Sequence, residues 1–150
     1  MTDPKKHVVA LADDDPDDRE IFADVCTDVD KNLKAMLFKN GKELLDHLNS
    51  PKAIIPNILF LDINMPVIDG FECLKLIRSK TEFNKLCIII YSTSVNSADV
   101  NKARNLGADG FLQKPSSYGK LRTVFIQILD TNWRDDPCSQ LNEENFLINA

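Results

Sequence analysis

Short apolar segments alternate along the chain with longer stretches in which apolar residues recur every three or four positions. The apolar segments lie at residues 8–12, 35–38, 58–61, 87–91 and 110–112. Each segment is continuous rather than alternating, which is typical of strands that are buried on both faces of a parallel sheet. The stretches that follow them show the single apolar face of amphipathic helices. The pattern therefore predicts five strand–helix units in series.

Residues at the ends of these stretches support the assignment of helices. Asp15 is placed to cap the first helix, and Pro16 suits its first position because the N–H that proline lacks is not needed there. The fourth stretch, residues 97–106, has few apolar positions, and Gly107 fits the end of its helix. Five such units predict a doubly wound α/β sandwich, since right-handed crossovers place helices on both faces of the sheet.

The length of the chain favours one domain followed by a tail. A chain of 150 residues is long enough to close a single hydrophobic core. After about residue 133 the periodic pattern gives way to mostly polar residues. We therefore expect a domain at residues 1–133 and a flexible C-terminal tail at residues 134–150.

Charge and composition narrow the classes of partner. The formal net charge of −5 disfavours nucleic acid, whose phosphates are bound by an excess of lysine and arginine. No apolar run approaches the ~18 residues of a membrane-spanning helix, and the first residues lack the apolar stretch of a signal peptide. The four cysteines form no C-x-x-C pair, and three of them lie in apolar patterns. We expect a cytoplasmic protein with reduced cysteines and no membrane or nucleic-acid partner.

Charged and hydroxyl side chains follow four of the predicted strands. Asp13 and Asp14 end the first strand, Asp62 ends the third, Ser92 ends the fourth and Lys114 follows the fifth. Because the carboxyl ends of parallel strands meet at one edge of a sheet, these side chains are expected at the same edge. Open α/β sheets bind their ligands there.

Three carboxylates at one edge of the sheet repel one another. Each pair costs roughly 4 kcal/mol at about 4 Å and an effective dielectric near ~20. A hard divalent cation with oxygen ligands relieves this repulsion, and Mg²⁺ is the best match. An aspartate beside Mg²⁺ can attack phosphorus, while a lysine and a hydroxyl hold the charge of the phosphoryl group. The set of residues predicts Mg²⁺-dependent phosphoryl transfer to an aspartate.

With the segment D-I-N-M-P-V-I-D-G at residues 62–70 and the dipeptide Lys114-Pro115, these residues resemble the receiver domain of two-component response regulators. Each motif alone is weak, but four of them in order at successive strand ends are specific. The resemblance covers about residues 7–130. It implies a flavodoxin-like receiver fold with a doubly wound, parallel five-stranded sheet in the order 2-1-3-4-5. The opening A-D-D-D-P-D-D-R-E-I-F is similar to a subgroup of single-domain receivers.

The resemblance implies a role for each residue of the acidic site. Asp62 is the phosphoacceptor and, with Asp14, a direct ligand of Mg²⁺. Asp13 holds the metal through a water molecule, and Asn64 offers its backbone carbonyl. Lys114 pairs with Asp62 and then with the phosphoryl oxygens.

The resemblance also implies a conformational switch. Ser92 bonds the phosphoryl group and moves inward on activation, and Phe111 is the aromatic residue coupled to it. Ser92 stands where many receivers have threonine, and Phe111 where some have tyrosine. The peptide bond between Lys114 and Pro115 is expected to be cis, which would aim the lysine at the site.

The function implied is that of a single-domain response regulator. Its phosphoryl donor is a sensor histidine kinase or a histidine phosphotransfer protein. Phosphorylation then promotes binding of a protein partner to the face formed by the fourth helix, the fifth strand and the fifth helix. Such a chain catalyses only its own phosphorylation and dephosphorylation and is otherwise not an enzyme. We expect a monomer or a weak dimer.

Other interpretations fit part of the pattern. A small aspartyl-phosphate phosphatase uses similar chemistry, but Asn64 stands where its acid–base aspartate belongs. A pseudo-receiver that has lost phosphorylation would have a broken site, and here the site residues are present. Each site residue also has an ordinary structural interpretation, and these alternatives stay open. The acidic pair could be a solvated helix cap, Asp62 a turn residue, Lys114 a surface lysine and Ser92 a helix cap.

Overall fold

The computed structural model describes residues 7–129, together with residues 138, 141, 144 and 146–148. A short 3-10 turn at Thr81–Phe83 precedes the fourth strand. In chain order the other elements are β1 (His7–Ala12), α1 (Pro16–Val29), β2 (Leu33–Phe38), α2 (Gly41–Asn49), β3 (Ile58–Asp62), α3 (Gly70–Arg78), β4 (Cys87–Ser92), α4 (Ser97–Asn105), β5 (Gly110–Gln113), α5 (Tyr118–Ile128) and β6 (Leu147–Ile148).

The strands form one parallel sheet in the order β2-β1-β3-β4-β5-β6. The predicted order 2-1-3-4-5 is confirmed, and so is the α/β class. The expectation of five strands is corrected to six, because β6 pairs with β5. In that pair Leu147 lies opposite Phe111, and Ile148 lies opposite Leu112.

Two apolar layers lie on opposite faces of the sheet. On one face, the ring of Phe60 from β3 lies 5.4 Å from Phe22 of α1 and 5.3 Å from Phe125 of α5, between ring centroids. On the other face, Leu44 of α2 and Leu74 of α3 are fully buried. Each fully buried side chain of this size contributes about 1.5–3 kcal/mol. The central strands are therefore apolar on both sides, which explains their continuous pattern in the sequence.

A polar residue precedes each of the helices α1–α5, and its side chain accepts a hydrogen bond from a backbone N–H in the first turn. These caps are Asp15, Asn40, Asp69, Asn96 and Ser117. The predicted start of α1 at Pro16 is confirmed. Gly107, which follows α4, has a φ of 97°, a conformation that glycine adopts without strain. No helix in the described part of the chain is both long and apolar enough to cross a membrane.

Residues 147–148 form an edge strand of the sheet within the range where the sequence predicted a flexible tail. Phe146 is buried, and its carbonyl accepts a 2.8 Å hydrogen bond from the N–H of Phe111 in β5. Cys138 forms a disulfide with Cys87 of β4, which corrects the expectation that all cysteines are reduced. Residues 146–148 cover a strand edge that otherwise presents unpaired backbone groups. The two cysteines lie 51 positions apart, and such a pairing leaves no local mark in the sequence.

Candidate functional site

An acidic cluster lies at the carboxyl edge of the sheet, where β1 and β3 end side by side. Ala12 pairs with Leu61 in the parallel register, so Asp13 and Asp62 occupy neighbouring positions. A carboxylate oxygen from each of Asp13, Asp14 and Asp62 lies within 4.8 Å of the other two. Asp13 and Asp62 are buried, whereas Asp14 is exposed. The structure thus brings together the three carboxylates that the strand ends indicated.

Backbone groups hold two of these carboxylates in place. The N–H of Asp15 donates to Asp13 Oδ1 at 2.9 Å, and the N–H of Asn64 donates to Asp62 Oδ1 at 3.2 Å. Gly70, the first residue of α3, packs directly on the backbone of Asp62. A Cβ at position 70 would lie 2.2 Å from the Asp62 carbonyl oxygen. The start of α3 therefore fixes the turn that follows the acidic strand end.

Lys114 reaches the cluster from the end of β5. Its Nζ lies 2.8 Å from Asp13 Oδ2, 2.8 Å from Asp18 Oδ2 and 3.5 Å from Asp62 Oδ2. Its backbone N–H donates to the carbonyl of Ser92 at 2.7 Å. The side chain is only 11% exposed, so Lys114 is not an ordinary surface lysine.

The peptide bond between Lys114 and Pro115 is trans, because the described residues contain no cis peptide bond. The expectation of a cis bond at Pro115 is therefore corrected. With this trans bond, Lys114 still reaches the acidic cluster. The backbone hydrogen bond to Ser92 and the ion pairs of the ammonium group hold it there.

Burial changes the protonation equilibria of the cluster. Removal from water raises the pKa of Asp13 to about 6 and also raises the pKa of Asp62, although Lys114 opposes both shifts. Burial alone would lower the pKa of Lys114, but its contacts with Asp13 and Asp18 and the charge of Asp62 raise it instead. The ammonium group therefore stays charged, and one lysine balances several carboxylates.

The carboxylates suit a hard divalent cation. Within the described part of the chain, Asp13 Oδ2 is a buried side-chain oxygen that accepts no hydrogen bond of good geometry, and its contact with Lys114 is an ion pair. Asp14 and Asp62 add oxygen atoms within 4.8 Å. Oxygen ligands with an excess of negative charge are what Mg²⁺ requires. The residues present therefore fit this metal.

Ser92 and Phe111 lie on the neighbouring strands β4 and β5. Ser92 is buried at the end of β4, and its Oγ accepts a 3.2 Å hydrogen bond from the N–H of Ser94. Phe111 is fully buried on β5, opposite Ile90. The cap of α4 is Asn96, so helix capping does not account for the position of Ser92.

Asp18 is a member of the site that sequence reasoning missed. It lies in the first turn of α1, and its contact with Lys114 joins residues 96 positions apart. The acidic residues around it indicated only a favourable helix N-terminus. Spacing along the chain carries no signal for a partner on a distant strand.

Comparisons with known proteins agree with this architecture. A family model described as "Response regulator receiver domain" matches residues 9–126. Chemotaxis protein CheV1 of Helicobacter pylori is 35% identical over 125 residues, which are 81% of this chain and 38% of CheV1. The chain thus spans less than two fifths of the length of that relative.

Solved structures share the fold. The phosphorylated cyanobacterial phytochrome response regulator RcpA matches with a TM-score of 0.79 and 21% identity, over 87% of this chain and 96% of RcpA. The Mn²⁺-bound form of response regulator Rcp1 matches with a TM-score of 0.71 and 23% identity, over 83% of this chain and 96% of Rcp1. At these identities the likeness concerns the fold.

Proposed function

The chain belongs to the receiver-domain family of two-component response regulators, and on that premise we propose that Asp62 is its phosphoacceptor. The observation that carries the proposal is the position of Asp62. It is a buried carboxylate at the end of β3, with Lys114 Nζ 3.5 Å away and two further aspartates beside it. A nucleophile, a cation and metal ligands lie together at the edge where α/β sheets bind ligands.

Asp62 receives its phosphoryl group from the phosphohistidine of a sensor histidine kinase or a histidine phosphotransfer protein. One carboxylate oxygen attacks phosphorus, so that a P–O bond forms while the P–N bond of the donor breaks. The donor histidine carries a proton on its other ring nitrogen, so it leaves as neutral imidazole. Lys114 holds the negative charge of the phosphoryl oxygens, and the hydroxyl of Ser92 donates a hydrogen bond to them. Water later hydrolyses the acyl phosphate, so the chain catalyses only its own phosphorylation and dephosphorylation.

Mg²⁺ is the cofactor that we propose for this site. Asp14 and Asp62 would bind it directly, Asp13 through a water molecule and Asn64 through its backbone carbonyl. Bound there, Mg²⁺ supplies positive charge that neutralises the carboxylates and the transferring phosphoryl group. The Mn²⁺ bound to Rcp1 supports a divalent-cation site in this fold.

The output that we propose is phosphorylation-dependent binding of a protein partner to the face of α4, β5 and α5. Because β6 pairs with β5 and covers its edge, the surface that this partner meets includes β6. Ser92 moves toward the phosphoryl group and Phe111 follows, which shifts the population between two states of this face. Leu147 of β6, which pairs with β5, is 38% exposed and offers apolar contact area at this face. The net charge of −5 favours a protein over nucleic acid as partner. We place this activity in the cytoplasm, in a monomer or weak dimer.

Beryllofluoride, a mimic of the phosphoryl group, tests the proposal without a kinase. We expect the wild-type chain to bind it only when Mg²⁺ is present, seen as shifts of the backbone NMR signals around residue 62. The Asp62→Asn variant should show no such shifts. Equal binding by that variant would contradict the proposal. No binding by the wild-type chain would favour a pseudo-receiver, and turnover of a generic phosphate ester would favour a phosphatase.

A further inference from the structure

The ammonium group of Lys114 has a carboxylate partner outside the acidic cluster of Asp13, Asp14 and Asp62. Asp18 Oδ2 lies 2.8 Å from Lys114 Nζ, as close as Asp13 Oδ2. The Asp18 side chain is 29% exposed, whereas those of Asp13 and Asp62 are 0% and 5% exposed. Lys114 therefore sits between two buried carboxylates and one that borders solvent.

The partners of Lys114 differ in what else they have to bind. Asp13 and Asp62 belong, with Asp14, to the group whose oxygens lie within 4.8 Å of one another. A divalent cation and the lysine therefore compete for the same two carboxylates. Asp18 is not part of that group. The lysine can therefore pair with Asp18 without occupying a carboxylate that the cation needs.

The local structure of α1 does not require a carboxylate at position 18. The N-cap role is held by Asp15, whose side chain accepts a hydrogen bond from the N–H of Asp17. Pro16 occupies the first helical position, and Asp17 already supplies a negative charge to the first turn. The ion pair with Lys114 is therefore the interaction that specifically requires a carboxylate at position 18.

We propose that Asp18 is a positioning residue for Lys114: its carboxylate shares the ammonium group with Asp13 at equal distance, which weakens the competition of the lysine with Mg²⁺ and keeps the lysine within reach of Asp62. The inference rests on the proposed function and adds a residue to its machinery. Loss of the Asp18 charge weakens Mg²⁺ binding in two ways. The negative charge near the site falls, and Lys114, left with Asp13 and Asp62 alone, competes harder for the metal ligands.

The test is the dissociation constant of Mg²⁺ for the full chain, measured by calorimetry in Asp18→Asn and in the matched control Asp17→Asn. Both variants remove one charge from the same turn, but Asp17 is exposed and lies outside the ion pairs of Lys114. We expect the constant to rise about fivefold in Asp18→Asn and less than about twofold in Asp17→Asn. The Asp18→Glu variant keeps a carboxylate and should recover most of the affinity.

A second comparison establishes whether Asp18 acts through the lysine. In a Lys114→Ala background, Asp18→Asn should change the Mg²⁺ dissociation constant no more than Asp17→Asn does. A full effect of Asp18→Asn in that background, or equal effects of the two variants in the wild-type chain, would overturn the inference and leave the proposed function intact. A wild-type chain that binds no Mg²⁺ would overturn both.

Discussion

Gly70 lies so close to the backbone of Asp62 that no larger residue fits at this position without a shift. Gly70 begins α3 directly against the strand end that carries Asp62, and its N–H donates to the carbonyl of Ile63 at 2.9 Å. A methyl group at position 70 would lie 2.2 Å from the Asp62 carbonyl oxygen and 2.8 Å from Ile63 Cα. Both neighbours are backbone atoms, so neither can rotate away as a side chain would.

Substitution of Gly70 by alanine is therefore expected to destabilise the protein by roughly 1–3 kcal/mol and to weaken Mg²⁺ binding, because the backbone of Asp62 must shift. Gly119 provides a matched control, since a Cβ there meets nothing within 4 Å. Gly119→Ala, within the helix α5, should stabilise the chain by up to about 1 kcal/mol. Urea unfolding of the two variants checks the pair. Equal stability of Gly70→Ala and the wild-type chain would contradict the packing described for α3.

The sequence predicted the site residues that follow strands and missed the one that lies in a helix. Asp13, Asp62 and Lys114 were found because the ends of parallel strands share one edge of the sheet. Asp18 was missed because only its three-dimensional contact with Lys114 distinguishes it from its acidic neighbours. The cis bond expected at Pro115 came from resemblance alone, and the local sequence held no physical signal that would have corrected it.

At the scale of elements, the disulfide joins Cys138 to the sheet and β6 adds residues 147–148 to its edge. β6 contributes only two residues, Leu147 and Ile148, so backbone pairing alone gives it little stability. Cys138 is bonded to Cys87 in β4, the strand on the other side of β5 from β6. Phe146, which directly precedes β6, is buried. Removal of the disulfide is thus expected to affect the stability of the whole fold.

Reduction of the disulfide should lower the free energy of unfolding by about 4 kcal/mol, since the closed loop spans 51 positions and restricts the unfolded chain. The comparison is urea unfolding with and without a reductant. The Cys138→Ser variant is the control: reductant should have no further effect on it, because Cys26 and Cys73 are already free thiols. Four titratable thiols in the unreduced, unfolded wild-type chain would show that the disulfide is absent.

The sheet order was predictable from the sequence and the sixth strand was not. Five continuous apolar segments separated by amphipathic helices leave few topologies, since crossovers are right-handed. A two-residue strand has no period to detect, and the polar residues before it gave the segment the composition of a tail. The strand depends on tertiary contacts with β5, which no local pattern encodes.

At the scale of the whole molecule, the fold brings several carboxylates together at one edge of the sheet, where they repel one another. Four strands, β1, β3, β4 and β5, end at the edge that holds Asp13, Asp14, Asp62 and Lys114. Burial raises the pKa of Asp13 to about 6 and raises that of Asp62, so keeping both carboxylates ionised at neutral pH costs free energy of folding. A bound cation offsets this repulsion, and the stability of the fold is expected to depend on it.

Mg²⁺ should therefore raise the free energy of unfolding of the wild-type chain, by about 2.7 kcal/mol at a free concentration of about 100 times the dissociation constant. Chelation by EDTA should remove the gain. Asp62→Asn lacks one carboxylate of the cluster and should gain much less from the metal. Thermal or urea unfolding in Mg²⁺ and in EDTA makes the comparison. Identical transitions for the wild-type chain in the two buffers would argue against a metal site at this edge.

The most direct test of the central claim is the location of the acyl phosphate in the chain. The 150-residue chain is treated with acetyl phosphate and Mg²⁺, the acyl phosphate is reduced with borohydride, and the modified peptide is sequenced by mass spectrometry. We expect the modification at Asp62 alone, dependent on Mg²⁺ and absent from Asp62→Asn. Modification at another carboxylate, or none in a wild-type chain that binds Mg²⁺, would contradict the assignment of Asp62 as the phosphoacceptor.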